Sequence, residues 1–168
     1  ALRNDSAHVV VGVDYAADTV VVLVRQVPQT VVISPAVDTV RALETTRQLV
    51  AVARDSLGSA LVVPPVFTWR SSDTTQAVVD TLGRVRAVGR GTVTVTATAG
   101  SASGTMQLVI DQVPTGVVVV PGRDTVFALS DTRQFRDTIF DANRQPAPHL
   151  GVWWRASDTA IAVIDSLS

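Results

Sequence analysis

Residues 91–99, Gly-Thr-Val-Thr-Val-Thr-Ala-Thr-Ala, alternate without a break between small apolar side chains and threonine. A strand points successive side chains to opposite faces, so this run predicts a strand with Val93, Val95 and Ala97 inward and threonines outward. The same period of two recurs through the chain. Residues 47–55 put Leu49, Ala51 and Ala53 on one side, and residues 66–70 put Phe67 and Trp69 opposite Thr68 and Arg70. Residues 30–35 read as a strand stopped by Pro35, which cannot donate to a ladder. Residues 77–88 read as a tight hairpin around Thr81-Leu82-Gly83, and residues 105–110 as a closing strand. Between them, Ser71-Ser72-Asp73-Thr74-Thr75 has the side chains that bond a turn backbone. Seven or so short strands, some with one apolar and one polar face, predict an all-β chain folded as two-sheet sandwiches.

The pattern is written more than once. Gln-Val-Pro at 26–28 returns at 112–114, and Val31–Pro35 returns as 117–121. Asp-Thr-Val at 38–40 returns at 124–126, and Thr-Arg-Gln-Leu at 46–49 returns as Thr-Arg-Gln-Phe at 132–135. All of these lie 86 residues apart. After one deletion the offset becomes 85, and WRSSDTTQAVVD at 69–80 returns as WRASDTAIAVID at 154–165. Several independent segments matching in order identify a tandem repeat.

Carried backwards, the register lays the opening of the chain on residues 87–110. Val9, Val11 and Val13 fall on Val95, Ala97 and Ala99; Val20, Val22 and Val24 fall on Met106, Leu108 and Ile110. The expected organisation is therefore three segments. Residues 1–27 are the last two strands of one unit, 28–113 a complete unit, and 114–168 a unit lacking its last strands. Pro28 and Pro114 mark short, stiff links. Ser168 falls on Gly83 and Ala1 on Ala87, so the head of one copy is the piece that would complete the tail of another.

Composition removes whole classes of chemistry. Hydrophobic residues are 46% of the chain, aromatics only 5%, and the valine- and threonine-rich remainder favours strands. The net charge of −1 is scattered, and all 14 basic residues are arginine, with no basic stripe for a nucleic acid. The valine runs are too short to insert in a membrane, since residues 20–24 end at Arg25. Cysteine is absent, which excludes disulfides, thiolate chemistry and cysteine-held zinc.

The motif order resembles the bacterial immunoglobulin-like domain, group 2. The residues that carry it are Trp69, Ser71-Ser72-Asp73, Ala77-Val78-Val79-Asp80, Gly83, Val85, Ala87 and Gly91–Ala97. The second copy has Trp154, Ser157-Asp158 and Ala162–Asp165, and departs at Ala156. The opening segment departs at Asn4-Asp5, where Arg90-Gly91 would stand. The resemblance implies tandem immunoglobulin-like sandwiches in extracellular adhesins, surface layers and fibres, and no catalysis.

The candidate residues divide accordingly. Trp69 and Trp154 recur in phase on the inward face and are read as core anchors. Trp153 aligns with Thr68, on the outward face, and is the candidate exposed contact. His8 and His149 have no acidic or hydroxyl partner at a recognisable spacing, so neither a triad nor a zinc site is expected. Asp-Thr occurs eight times without the dense spacing of a calcium loop, and reads as turns and strand edges. No cofactor and no enzyme activity are expected. The expected role is a structural subunit of an extracellular bacterial fibre or stalk. Its partner is another copy, joined head to tail through Val9, Val11, Val13, Val20, Val22 and Val24. The alternative is an adhesive module that binds a glycan or surface protein.

Overall fold

The computed structural model describes residues 5–165 and contains only strands and turns among them. The chain divides into two compact units, Ala1–Asp111 and Gln112–Ser168. Among the described residues, no helix is long and apolar enough to cross a membrane.

The first unit opens with β1 (Asp5–Val13) and β2 (Ala16–Val24), an antiparallel hairpin that, among the described residues, pairs with no other strand. The sandwich follows. It comprises β3 (Thr30–Ser34), β4 (Val37–Val40), β5 (Thr46–Gln48), β6 (Val50–Arg54), β7 (Thr68–Ser71), β8 (Ala77–Val79), β9 (Arg84–Ala87), β10 (Gly91–Ala99) and β11 (Ala102–Ile110). One sheet runs β4-β11-β10-β7. The other face is made by β3-β6 and β5-β9-β8.

Nine strands stand where about seven were predicted, and both extra breaks have a physical reason. Pro35 ends β3, whose partner is β6, and the chain crosses to the opposite sheet as β4, parallel to β11. Period-two alternation cannot reveal this change of partner. The predicted run 47–55 splits at Leu49, whose amide donates to the Gly83 carbonyl while its side chain is buried in the core. The alternating strand is as expected: Val93, Val95, Ala97 and Ala99 are buried in the same core as Met106, Leu108 and Ile110 of its partner. Val31, Ile33, Val40, Leu49, Ala77 and Val85 close the core from the remaining strands.

Trp69 packs half-buried against this core, with Phe67 tilted at 53° and 6.4 Å from it. Gly83 lies directly under its ring: a Cβ there would come within 2.7 Å of the indole. With φ at +78°, Gly83 also occupies the left-handed region that glycine accepts without cost.

Among its described residues the second unit has one two-stranded sheet, β12 (Gly116–Val120) with β13 (Arg136–Phe140). Residues 124–126 and 153–164 form no strand. Local turns survive. Ala160 donates to the Asp158 carboxylate at 2.8 Å, as Thr75 does to Asp73 in the first unit. Gln26, ahead of β3, donates to Asp55, and Gln112, ahead of β12, donates to Asp141, both at 2.9 Å.

Candidate functional site

Two surfaces stand out, one in each unit. The first is the hairpin. A nine-residue strand normally hides one face, yet Val9, Val10, Val11, Val13, Val20, Val21, Val22 and Leu23 are all exposed, with only Val24 half-buried. The pairing is not improvised. Asp5 opposes Val24 and Val13 opposes Ala16, with seven pairs between them. Gly91 opposes Ile110 and Ala99 opposes Ala102 with the same seven pairs between. Each pair of one hairpin lies 86 residues from its counterpart in the other. The turns agree as well, since Asp14 and Gly100 both hold positive φ, at 47° and 60°.

The second surface is a cleft of about 440 Å³ in the second unit. Val117 and Val119 of β12 and Ile139 of β13 form its floor, and Val152, Trp153 and Trp154 stand beside them. The matching positions of the first unit show what is missing. Val31 is 7% exposed and Val117 58%; Val40 is 1% exposed and Val126 50%. In the first unit β11 lies against β3, and β10 bonds β7. Among the described residues of the second unit, no strand fills either place.

The predicted residues fall as follows. Val9, Val11, Val13, Val20, Val22 and Val24 occupy the hairpin positions that correspond to the buried row of β10 and β11. Trp69 belongs to the core edge of the first unit; Trp154 is half-buried in the wall of the cleft. Trp153 is 75% exposed at the cleft, with the Arg155 guanidinium 5.8 Å from the ring centroid. Such a cation–π contact orders both side chains.

Sequence reasoning missed Asp137. It lines the cleft at the position that Ala51 holds in the first unit, and His149 Nδ1 lies 3.3 Å from its Oδ2. The histidine thus has an acidic neighbour that spacing along the chain did not reveal. The signal was available in the repeat alignment, where an acid replaces an inward alanine. No group of three or more His, Asp or Glu side chains could hold a metal among the described residues. The Asp-Thr pairs instead bond locally: Asp18, Asp38, Asp124 and Asp131 each accept from the amide of the next threonine.

Comparison with known proteins bears on the first unit. Residues 65–101 match the family described as Intimin, immunoglobulin-like domain. These are the residues that carry the tryptophan motif and the alternating strand, and the bacterial immunoglobulin-like reading stands. The chain is 28% identical over 120 residues to ice-binding protein 1 of Shewanella frigidimarina (strain NCIMB 400). That alignment takes in 71% of this chain and 14% of the relative, so the chain spans a small part of that protein. Among solved structures, surface layer protein SbsC, domains 1–6, aligns with a TM-score of 0.48 at 17% identity, over 86% of this chain and 20% of that one. Domains 4 and 5 of the S-layer protein SbsC align with a TM-score of 0.46 at 18% identity, over 64% and 65%.

Proposed function

We propose that the chain is a structural segment of an extracellular bacterial fibre or stalk. In this reading its hairpin β1–β2 completes the second unit of a neighbouring copy. The observation that carries the reading is the shared register of β1–β2 and β10–β11, nine pairs out of nine. The first unit already contains the interface in question, between β10–β11 and the strands β3, β4 and β7. At the positions corresponding to Val95, Ala97, Ala99, Met106, Leu108 and Ile110 the hairpin holds valine, exposed at all but Val24.

The energetics are adequate. Burying a valine contributes about 1.5–3 kcal/mol, so six contribute on the order of 10 kcal/mol. New ladder bonds form along both hairpin edges. Association opposes this by about 4–15 kcal/mol. Addition of strands to an open sandwich is a known mode of protein recognition. Because the contact joins two different surfaces, it repeats without closing and yields an open filament. Similarity to the Intimin immunoglobulin-like domain family supports an extracellular location.

Electron microscopy together with sedimentation over a range of concentrations tests the reading. Fibres built from 168-residue chains are expected, and deletion of residues 1–27 should abolish them. Monomers at every concentration would sink the proposal. Fibres whose denatured mass is several times larger would replace it with a continuous tandem chain.

Trp153 supports a second reading. Its exposed face, braced by Arg155, suits the stacking of a sugar. An adhesive module of this kind would bind glycans through Trp153 as a monomer. A glycan array probed with the protein and with Trp153→Ala distinguishes it.

A further inference from the structure

Among the glycines of the first unit, the tightest approach to another backbone is at Gly104. A Cβ built there would run into the carbonyl oxygen of Val31 and lie 2.8 Å from its carbonyl carbon. Real Cβ atoms do not come that near, so the fold leaves β11 no room for a side chain at this point. An isolated glycine inside an alternating strand marks such a backbone approach.

The hairpin breaks this rule. Asp18 opposes Val11 in β1–β2 as Gly104 opposes Ala97 in β10–β11. Val117 opposes Ile139 in β12–β13 as Val31 opposes Ala53 in β3–β6. Seated in the β11 register, the hairpin would drive the Asp18 side chain at the Val117 carbonyl. The contact offers no donor to the carboxylate, which in the free hairpin accepts from the Thr19 amide at 2.8 Å.

We propose that Asp18 is the residue that sets the strength of this completion. Its side chain forces β2 and β12 apart at the position where β11 of the complete unit has room only for glycine. Self-completion is thereby held weak and reversible, although the inward positions on either side of it in β2, Ala16, Val20, Val22 and Val24, are apolar. The inference rests on the completion reading above and adds to it a residue that controls affinity.

The chain has no cysteine, so single cysteines report the contact cleanly. Thr96 opposes Arg70 in the first unit; the counterparts are Val10 and Arg155. Proteins carrying V10C and R155C are mixed under mild oxidation, and the mixed disulfide between their peptides is quantified by mass spectrometry. The pair is prepared with Asp18, Asp18→Gly and Asp18→Ala. Cross-strand NMR contacts between Val9 and Val20 verify the hairpin in each. Asp18→Gly should raise the mixed product about tenfold, while Asp18→Ala stays within about twofold of Asp18, because Ala keeps the offending Cβ. Equal yields in all three leave the completion reading standing and overturn the role of Asp18. An equal rise with Ala and Gly overturns the argument from space. No mixed product in any background removes the completion reading, and this inference with it.

Discussion

WRSSDTTQAVVD and WRASDTAIAVID differ at four of their twelve positions, and they fold differently. In the first unit the segment supplies β7 and β8; in the second it supplies no strand. The Asp-centred turn inside the segment forms in both. What differs is the company. β7 depends on β10, and β8 on β9, and the second unit has no counterpart of either among the described residues. A turn closed by its own aspartate needs only its neighbours in sequence. A strand exists when a second strand accepts its hydrogen bonds, whatever its own propensity. β12 and β13 persist because each is the other's partner.

The comparison breaks hardest at its most buried position. Val95 is fully buried, and its hairpin counterpart Val9 is exposed. Val95→Asp should abolish cooperative unfolding of the first unit, a loss of more than about 4 kcal/mol from an unpaired buried carboxylate. Val9→Asp should leave the thermal midpoint of that unit unchanged and remove assembly. Calorimetry and sedimentation of the two variants check both halves. A folded Val95→Asp protein would mean that this core position does not carry the sandwich.

The tryptophans give the next contrast. Trp69→Ala should destabilise the first unit by about 3 kcal/mol, because Gly83 and Phe67 pack on the ring and cannot close the space. Trp154→Ala should leave the same transition within about 0.5 kcal/mol, since that side chain belongs to the other unit. Denaturant titration followed by far-ultraviolet circular dichroism measures both.

Gly104→Ala ranks third, at about 1–3 kcal/mol of overpacking against Val31. An unchanged denaturation midpoint would show that β3 gives way at little cost. It would also weaken the case for Asp18 as the residue controlling completion.

These contrasts also separate what the sequence could reveal from what it could not. β10, the β8–β9 hairpin and the repeat itself were legible, because each is a local pattern of alternation and turn residues. The end of β3 at Pro35 was legible too, but the partner of β4 was not. Parallel pairing with β11 joins residues far apart in sequence and leaves no local mark. The hairpin's register followed from alignment to β10–β11. The misfit at Asp18 did not, because the need for glycine at 104 arises from a backbone on the opposite sheet. The partnership of His149 with Asp137 escaped for the same reason: the chain spacing between them carries no motif.

The smallest effect belongs to the turn carboxylates. Hydrogen bonds hold two of them below the ordinary value of 3.8, Asp55 chiefly through the Gln26 amide and Asp73 chiefly through the Thr75 hydroxyl. A carboxylate whose pKa is lowered by folding stabilises the protein above its unfolded pKa, and that contribution is lost as pH falls through the folded value. The first unit should therefore lose stability as pH drops below about 4, with little change between pH 5 and 7 from these groups. Both side chains meet solvent, so the loss is modest and screened by salt. Gln26→Ala removes the largest cause acting on Asp55. The folded pKa of Asp55 then rises toward its unfolded value, and the fall in stability between pH 5 and 3 becomes shallower than in the parent. Thermal midpoints of the two proteins across that range test this. Parallel curves would show that the strap from Gln26 to Asp55 positions the link without holding the charge.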